Sequence, residues 1–189
     1  MVGAKFNACG DSTPLFNHKP GSDELQVSGF VIGTVEQMGV PCANETKSRR
    51  VFFDEVDKMI ESLSAAVKKD EKEDWKWQVP IAGAEHMPDG PFQQANLEES
   101  YTAYRKWQKT KKDGAKKQSE AYISLLKSRS LNWRFALLGK DRCALLPPNA
   151  QLNDVVCIFA GGAVPFVIRP GTRTDCYRLI GECYVAGVM

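Results

Sequence analysis

Apolar and polar positions alternate from residue 25 to residue 35, with Leu25, Val27, Val31 and Val35 on one side and Gly29 and Gly33 sharing that side. A period of two predicts a half-buried strand. Two glycines on its inner side suit a strand that bends sharply or is approached by another backbone. Gly39-Val40-Pro41 ends this strand, and a polar linker runs to Arg50. The period then changes. Phe52, Val56, Met59, Ile60, Leu63 and Val67 recur every three or four residues. That spacing predicts an amphipathic helix of about four to five turns, closed by Lys68-Lys69, a favourable charge at a helix C-terminus. Residues 70–77 extend that helix or start another. Pro80, Pro88 and Pro91, with Gly83 and Gly90, predict a loop. Leu97, Tyr101, Tyr104 and Trp107 mark a second amphipathic helix. Gly114 interrupts the lysine-rich stretch after it, and residues 119–131 form a third helical piece.

From Asn132 onward the period is that of strands. Residues 133–138 and 143–146 flank Gly139-Lys140-Asp141-Arg142, a hairpin turn. Residues 154–160 and 163–169 flank Gly161-Gly162, and two glycines between apolar runs predict a two-residue hairpin, because the favoured turns need positive φ. Residues 176–185 are the last strand. Pro165 has no N–H to give a ladder, so its strand is an edge there or carries a bulge. Val155-Val156-Cys157-Ile158-Phe159 is apolar on both faces, so this strand is expected to be covered twice. The interior of a small barrel would cover one face and the helical segment the other. The expected fold is α+β: a small antiparallel β-barrel or tight sandwich of about six strands, with a helical insertion between strands 1 and 2. Residues 1–24 read as an irregular lead-in. Residues 25–189 read as one barrel-like domain with its insertion at 36–131.

Composition changes this picture little. The chain has 189 residues, 43% of them hydrophobic and 25% charged. A chain of this length buries roughly 70% of the surface its unfolded form exposes, so it needs no disulfide or metal to hold a core. A net charge of +2 argues against a nucleic-acid or acidic-membrane partner. No apolar run near the start reads as a signal-peptide core, and none reaches the length of a membrane span. The expectation is a cytoplasmic protein with no membrane partner. Cys9, Cys42, Cys143, Cys157, Cys176 and Cys183 show no C-x-x-C pair and no zinc spacing. They are expected to be reduced core thiols. No metal or cofactor is implied.

The final strands carry a resemblance. Asn153-Asp154-Val155-Val156-Cys157-Ile158, Gly161-Gly162, Val164-Pro165-Phe166-Val167-Ile168-Arg169, Tyr177-Arg178-Leu179-Ile180-Gly181-Glu182-Cys183-Tyr184-Val185 and Gly187-Val188-Met189 resemble the tail that follows the HET domain in fungal heterokaryon-incompatibility (HET) proteins. Leu25-Gln26-Val27-Ser28-Gly29, Trp77-Gln78-Val79-Pro80-Ile81-Ala82-Gly83 and the stretch from Arg134-Phe135 to Pro147 are similar to earlier segments of that tail, in the same order. Asn153 stands where the family has Gly, and Asn tolerates the same left-handed backbone. Leu138, Asp141 and Ala144 replace a Thr and two glycines, and Ala186 replaces a common His. No stretch resembles the HET domain itself. The resemblance therefore implies a stand-alone or truncated copy of the tail, to which the cell-death activity carried by the HET domain does not simply transfer.

Among candidate site residues, Arg169 and Glu182 are charged positions in the best-matched strands and could form a polar pair at a pocket. A strand-end charge and a solvent-facing carboxylate explain them without a site, and in a tight hairpin closed over residues 170–175 the two would not sit opposite each other. Asp154, Cys157 and Cys183 could pair with His18 or His86 as nucleophile and base, though both histidines lie among prolines and glycines. Arg105, Lys106, Lys109, Lys111, Lys112, Lys116 and Lys117 surround Trp107. Basic residues interleaved with an aromatic can bind nucleic acid, but a solvated helix end accounts for them as well. Two functions are compatible with these residues. The first is a non-enzymatic interaction or regulatory module with a protein partner, which an exposed apolar patch on the insertion helices would support. The second is a small enzyme of fungal specialised metabolism that takes a small molecule. Its pocket would lie between barrel and insertion, around Trp77, Tyr101, Tyr104 and Trp133 with Arg169 and Glu182.

Overall fold

The computed structural model describes residues 13, 16–18, 21, 25–83, 96–174 and 176–188. It is a mixed α+β fold with a curled antiparallel sheet of seven strands, a separate two-stranded ribbon and five α-helices. The ribbon pairs β1 (Phe16–His18) with β2 (Leu25–Val27). The large sheet is built from β3 (Gly29–Pro41), β4 (Arg134–Leu138), β5 (Arg142–Leu146), β6 (Val155–Phe159), β7 (Phe166–Pro170), β8 (Tyr177–Glu182) and β9 (Tyr184–Val185). Their order across the sheet is β8-β7-β6-β3-β4-β5-β9.

The two end strands of that order are consecutive in the chain. β8 pairs with β7, the chain breaks its ladder at Cys183, and β9 pairs with β5. Cys183 N–H donates to the carbonyl of Pro165. This break is why the expected six strands are seven: the last predicted strand is divided between two neighbours. The first strand also differs from expectation, because it runs on to Pro41. The helical segment accordingly begins at residue 46 rather than 36.

β3 is the centre of the sheet, and its glycines explain how it can be. A Cβ on Gly29 would collide with the backbone carbonyl of Ile158 on β6, and one on Gly33 would sit 3.1 Å from Leu138 Cβ on β4. Register shifts between Val31 and Gly33 and between Val35 and Gln37 bend the strand between its two neighbours. Close approach and bend are both what two glycines on one side of a strand allow.

Two turns differ from expectation. The predicted β4–β5 hairpin closes over residues 139–141, one residue fewer than expected because Arg142 pairs with Leu138, and Gly139 takes φ 73°. The link from β6 to β7 is longer than two residues, since Cys157 pairs with Phe166. Ile158 and Phe159 continue the ladder to β3 but have no partner on β7. Gly162 N–H still bonds back to Phe159 O at 2.8 Å. β7 is an inner strand, and Pro165 lies just before it; the register shift in the β7–β8 ladder, between Val167 and Ile168, puts the extra residue, Ile180, on β8 rather than beside the proline. Asn153 takes φ 68°, the left-handed backbone expected of it.

The helices are α1 (Thr46–Ser62), α2 (Lys69–Gln78), α3 (Leu97–Thr110), α4 (Asp113–Gln118) and α5 (Glu120–Ser130), with a 3-10 turn at Val79–Ile81. α1 stops at Ser62, earlier than its apolar spacing predicts. Leu63 and Val67 stay buried in the turn that follows, where Ser64 N–H donates to Lys140 O on the β4–β5 turn at 2.7 Å. A tertiary bond thus replaces the helical one. α2 is a new helix, whose start is closed by Lys68 N–H donating to the Glu71 carboxylate at 3.2 Å. The break before α4 falls at Lys111, at φ 57°, and Gly114 lies inside that helix.

Two cores result. One fills the inside of the curled sheet with Val35, Ala136, Leu138, Ala144, Leu146, Val156, Val167 and Val185. The other lies between sheet and helices and holds Phe135, Leu137, Cys143, Leu145 and Tyr184 against Phe52, Phe53, Ile60, Tyr104, Tyr122 and Leu126. The strands packed into a core on both faces are therefore β4, β5 and the short β9. In β6 Val156, Cys157 and Ile158 are buried, but the helical layer rests chiefly on β3, β4 and β5. Glu55 anchors it there, accepting from Val40 N–H at 2.6 Å.

Candidate functional site

The inward-facing positions of four strands turn from apolar to charged at one end of the sheet. On β6 and the turn before it, inward Val156 is preceded by Asp154. On β7 inward Val167 is followed by Arg169. On β4 inward Ala136 is preceded by Arg134, and on β8 Arg178 stands two residues before Ile180. Side chains two apart share a face, so these four charges gather at the mouth of the interior. There the three arginines edge an open cleft of 620 Å³ that Asn149, Gln151, Met38 and Ile180 also line, with Asp154 buried beneath.

Asp154 is 1% exposed. Its carboxylate accepts from Arg169 Nε at 2.7 Å, from Arg169 Nη2 at 2.9 Å and from Gln151 N–H at 2.8 Å. Arg169 Nη2 also donates to Asn149 O at 2.8 Å. This two-pronged geometry is the strong form of a carboxylate–guanidinium pair. The hydrogen bonds to Asp154 raise the guanidinium's already high pKa, so Arg169 is a fixed cation. Arg178 lies directly across from Arg169 on β8. Arg134 donates to Gly39 O at 3.3 Å.

The predicted site residues are distributed as follows. Asp154 and Arg169 meet. Glu182 does not join them: it is exposed and sits opposite Phe166, at the far end of β7. Cys157 is buried, and burial pushes its thiol up to about 11. Burial raises Cys42 to about 11 as well, against an opposing pull from Arg49, and it drives Cys143 and Cys183 higher. Thiols held protonated are poor nucleophiles. His86 and Cys9 lie outside the described residues, as does the side chain of His18. Trp77, Tyr101 and Trp133 are half-buried against the helical core, and Tyr104 is fully buried. Tyr101, Tyr104, Tyr122 and Phe53 pack ring to ring, with centroids 5.2–6.3 Å apart. Tyr104 Oη accepts from Gln108 Nε2 at 2.8 Å, and burial pushes its hydroxyl up to about 12. In the basic segment Arg105 is held by Asp57 at 2.6 Å over the Phe53 ring, and Lys111 lies over Trp107.

Arg134 and Arg178 are the site residues that sequence reasoning missed. A signal for them exists. Each stands two residues from an inward apolar position, at the end of its strand. Finding them required extending the period of two past the last apolar residue. Among the described residues no cluster of three or more His, Cys, Asp or Glu could hold a metal. No described helix is long and apolar enough to cross a membrane.

The strands that build this mouth have a counterpart among known families. Residues 99–189 match the family model of the Het-6 beta-barrel domain. The match links the chain to HET-type proteins of fungi, and it does so through the barrel domain itself rather than through a tail defined by a preceding HET domain. The Het-6 beta-barrel match begins in α3 and takes in β4 to β9. It leaves out β3, the strand that joins β4 to β6. No curated protein and no solved structure matches the chain.

Proposed function

We propose that the chain is a non-enzymatic interaction module of the HET type, acting in the fungal cytoplasm by docking a protein partner. One observation carries this. Leu25, Val27 and Val31 are exposed large apolar residues that share one side of the alternation through β2 and the start of β3, with Leu25 at 58% and Val31 at 64% exposure. Single exposed apolar side chains are common, but a contiguous group of them marks a contact surface. A two-stranded ribbon is also marginal on its own, so packing against a partner would stabilise this one. The support comes from the ribbon and the start of β3, not from the insertion, where Val51 and Leu131 are the large apolar residues left exposed among the described ones.

A photo-crosslinking residue at position 25 provides the test. In a fungal host, position 25 should yield a discrete protein adduct that the same probe at exposed Leu152 does not. The Val31→Asp variant should lose that adduct while keeping its melting temperature. Equal labelling from both positions would count against docking at the ribbon.

A further inference from the structure

The mouth of the sheet holds more positive charge than it neutralises. Three guanidiniums edge the cleft, and the residues lining it include no Asp or Glu. Asp154, buried beneath, is committed to Arg169 and to Gln151 N–H. One of three cations is thereby balanced. Arg178 has no hydrogen-bond or ion-pair partner among the described residues, and Arg134 is bonded to a backbone carbonyl at the long distance of 3.3 Å. Arg169 and Arg178 are directly opposed on neighbouring strands, and like charges so placed repel. A protein that only needed to close its barrel could end these strands with neutral polar residues.

We infer that this cleft binds the phosphate group of a small phosphate monoester. The uncompensated charge is that of two cations, which matches a phosphate monoester near neutral pH better than a single carboxylate. Guanidinium forks fit phosphate oxygens in pairs. Asp154 and Asn149 hold Arg169 through Nε and Nη2, which leaves the two Nη1 hydrogens for a ligand. Arg178 and Arg134 supply donors from β8 and β4. Met38 and Ile180, which line the cleft, offer apolar contact for the carbon part of the ester. The inference is independent of partner docking. β6 runs from Asp154 at the cleft to Ile158 and Phe159 beside Phe30 and Gly29, so cleft and ribbon lie at opposite ends of the same strands.

Calorimetric titration of the full chain with phenyl phosphate tests it, with benzoate and a phosphoserine peptide as comparisons. Phenyl phosphate should bind saturably and benzoate more weakly. Arg178→Gln, at an exposed position, should keep the melting temperature and weaken phenyl phosphate about tenfold or more, as expected for one lost charge-assisted hydrogen bond. Arg134→Gln should do likewise. Raising the salt concentration should weaken all binding. The site is overturned if phenyl phosphate does not bind, or if Arg178→Gln binds it within twofold of the parent. Equal affinity for benzoate overturns the preference for phosphate. Binding of the peptide with phenyl phosphate silent overturns the small-molecule source.

Discussion

β4 and β5 present two faces, and the residues on them differ in kind. Toward the inside of the curled sheet they offer Ala136, Leu138, Ala144 and Leu146, met by valines from the neighbouring strands. Toward the helices they offer Phe135, Leu137, Cys143 and Leu145, met by Phe52, Phe53, Tyr104 and Tyr122. The same ten residues of hairpin strand build both. The inner face closes on itself and has room only for small and aliphatic side chains. The outer face must fill the wider gap to the helices, and aromatic rings do that. The inner face also has an open end, where its pattern passes into charge. The charged residues therefore gather at the mouth of the inner face, while the helix-facing side supplies packing.

Alkaline titration stresses both faces together and should give the largest effect. Folding raises the pKa of Cys143 on the helix side, of Cys183 on the inner side, and of Cys42 and Cys157 to about 11, from an ordinary 9.0. The folded state then holds protons that the unfolded state releases, so stability is intact below pH 9 and falls above it. The upper limit is about 1.4 kcal/mol per thiol for each pH unit. Urea unfolding from pH 7.5 to 10.5 measures it. Comparing Cys143→Ala with Cys183→Ala shows which face contributes more of the slope. A flat profile would mean that the thiols are not sealed off in solution.

Phe53→Ala breaks the helix-facing side alone. It should cost about 3–5 kcal/mol, the usual loss for a buried aromatic. Phenyl phosphate affinity of the folded fraction should not change. A loss of both would show that the two faces are not separable. Asp154→Ala acts on the inner mouth. It should cost about 2–3 kcal/mol, below the figure for a wholly buried pair because Arg169 can turn to water. It should also lower phenyl phosphate affinity by freeing the guanidinium that Asp154 holds in place. Urea unfolding and calorimetry on the same sample read both.

Much of this arrangement is written locally. The period of two in residues 133–146 and 154–169 shows the strands. The spacing of Phe52, Val56 and Ile60 shows α1, and Gly29 and Gly33 show a strand that lies close to others. Asn153 marks its own left-handed turn, and apolar neighbours mark Cys143, Cys157 and Cys183 as buried. These features depend on each residue and its near neighbours, and the chain carries that information directly. Asp154 and Arg169 were legible as candidates, though not as a pair.

What depends on distant residues was decided by the tertiary structure. α1 ends at Ser62 because Lys140, far along the chain, takes the N–H of Ser64. The last strand breaks at Cys183 because its two halves belong to different neighbours. β3 sits between β4 and β6, a place that no local period specifies. The mouth arises in the same way. Arg134, Asp154, Arg169 and Arg178 each sit at the end of an inward alternation, and each alone reads as a solvated strand-end charge. Only when the sheet curls do the four ends meet, because side-chain direction is set residue by residue while proximity is set by the closure of the sheet.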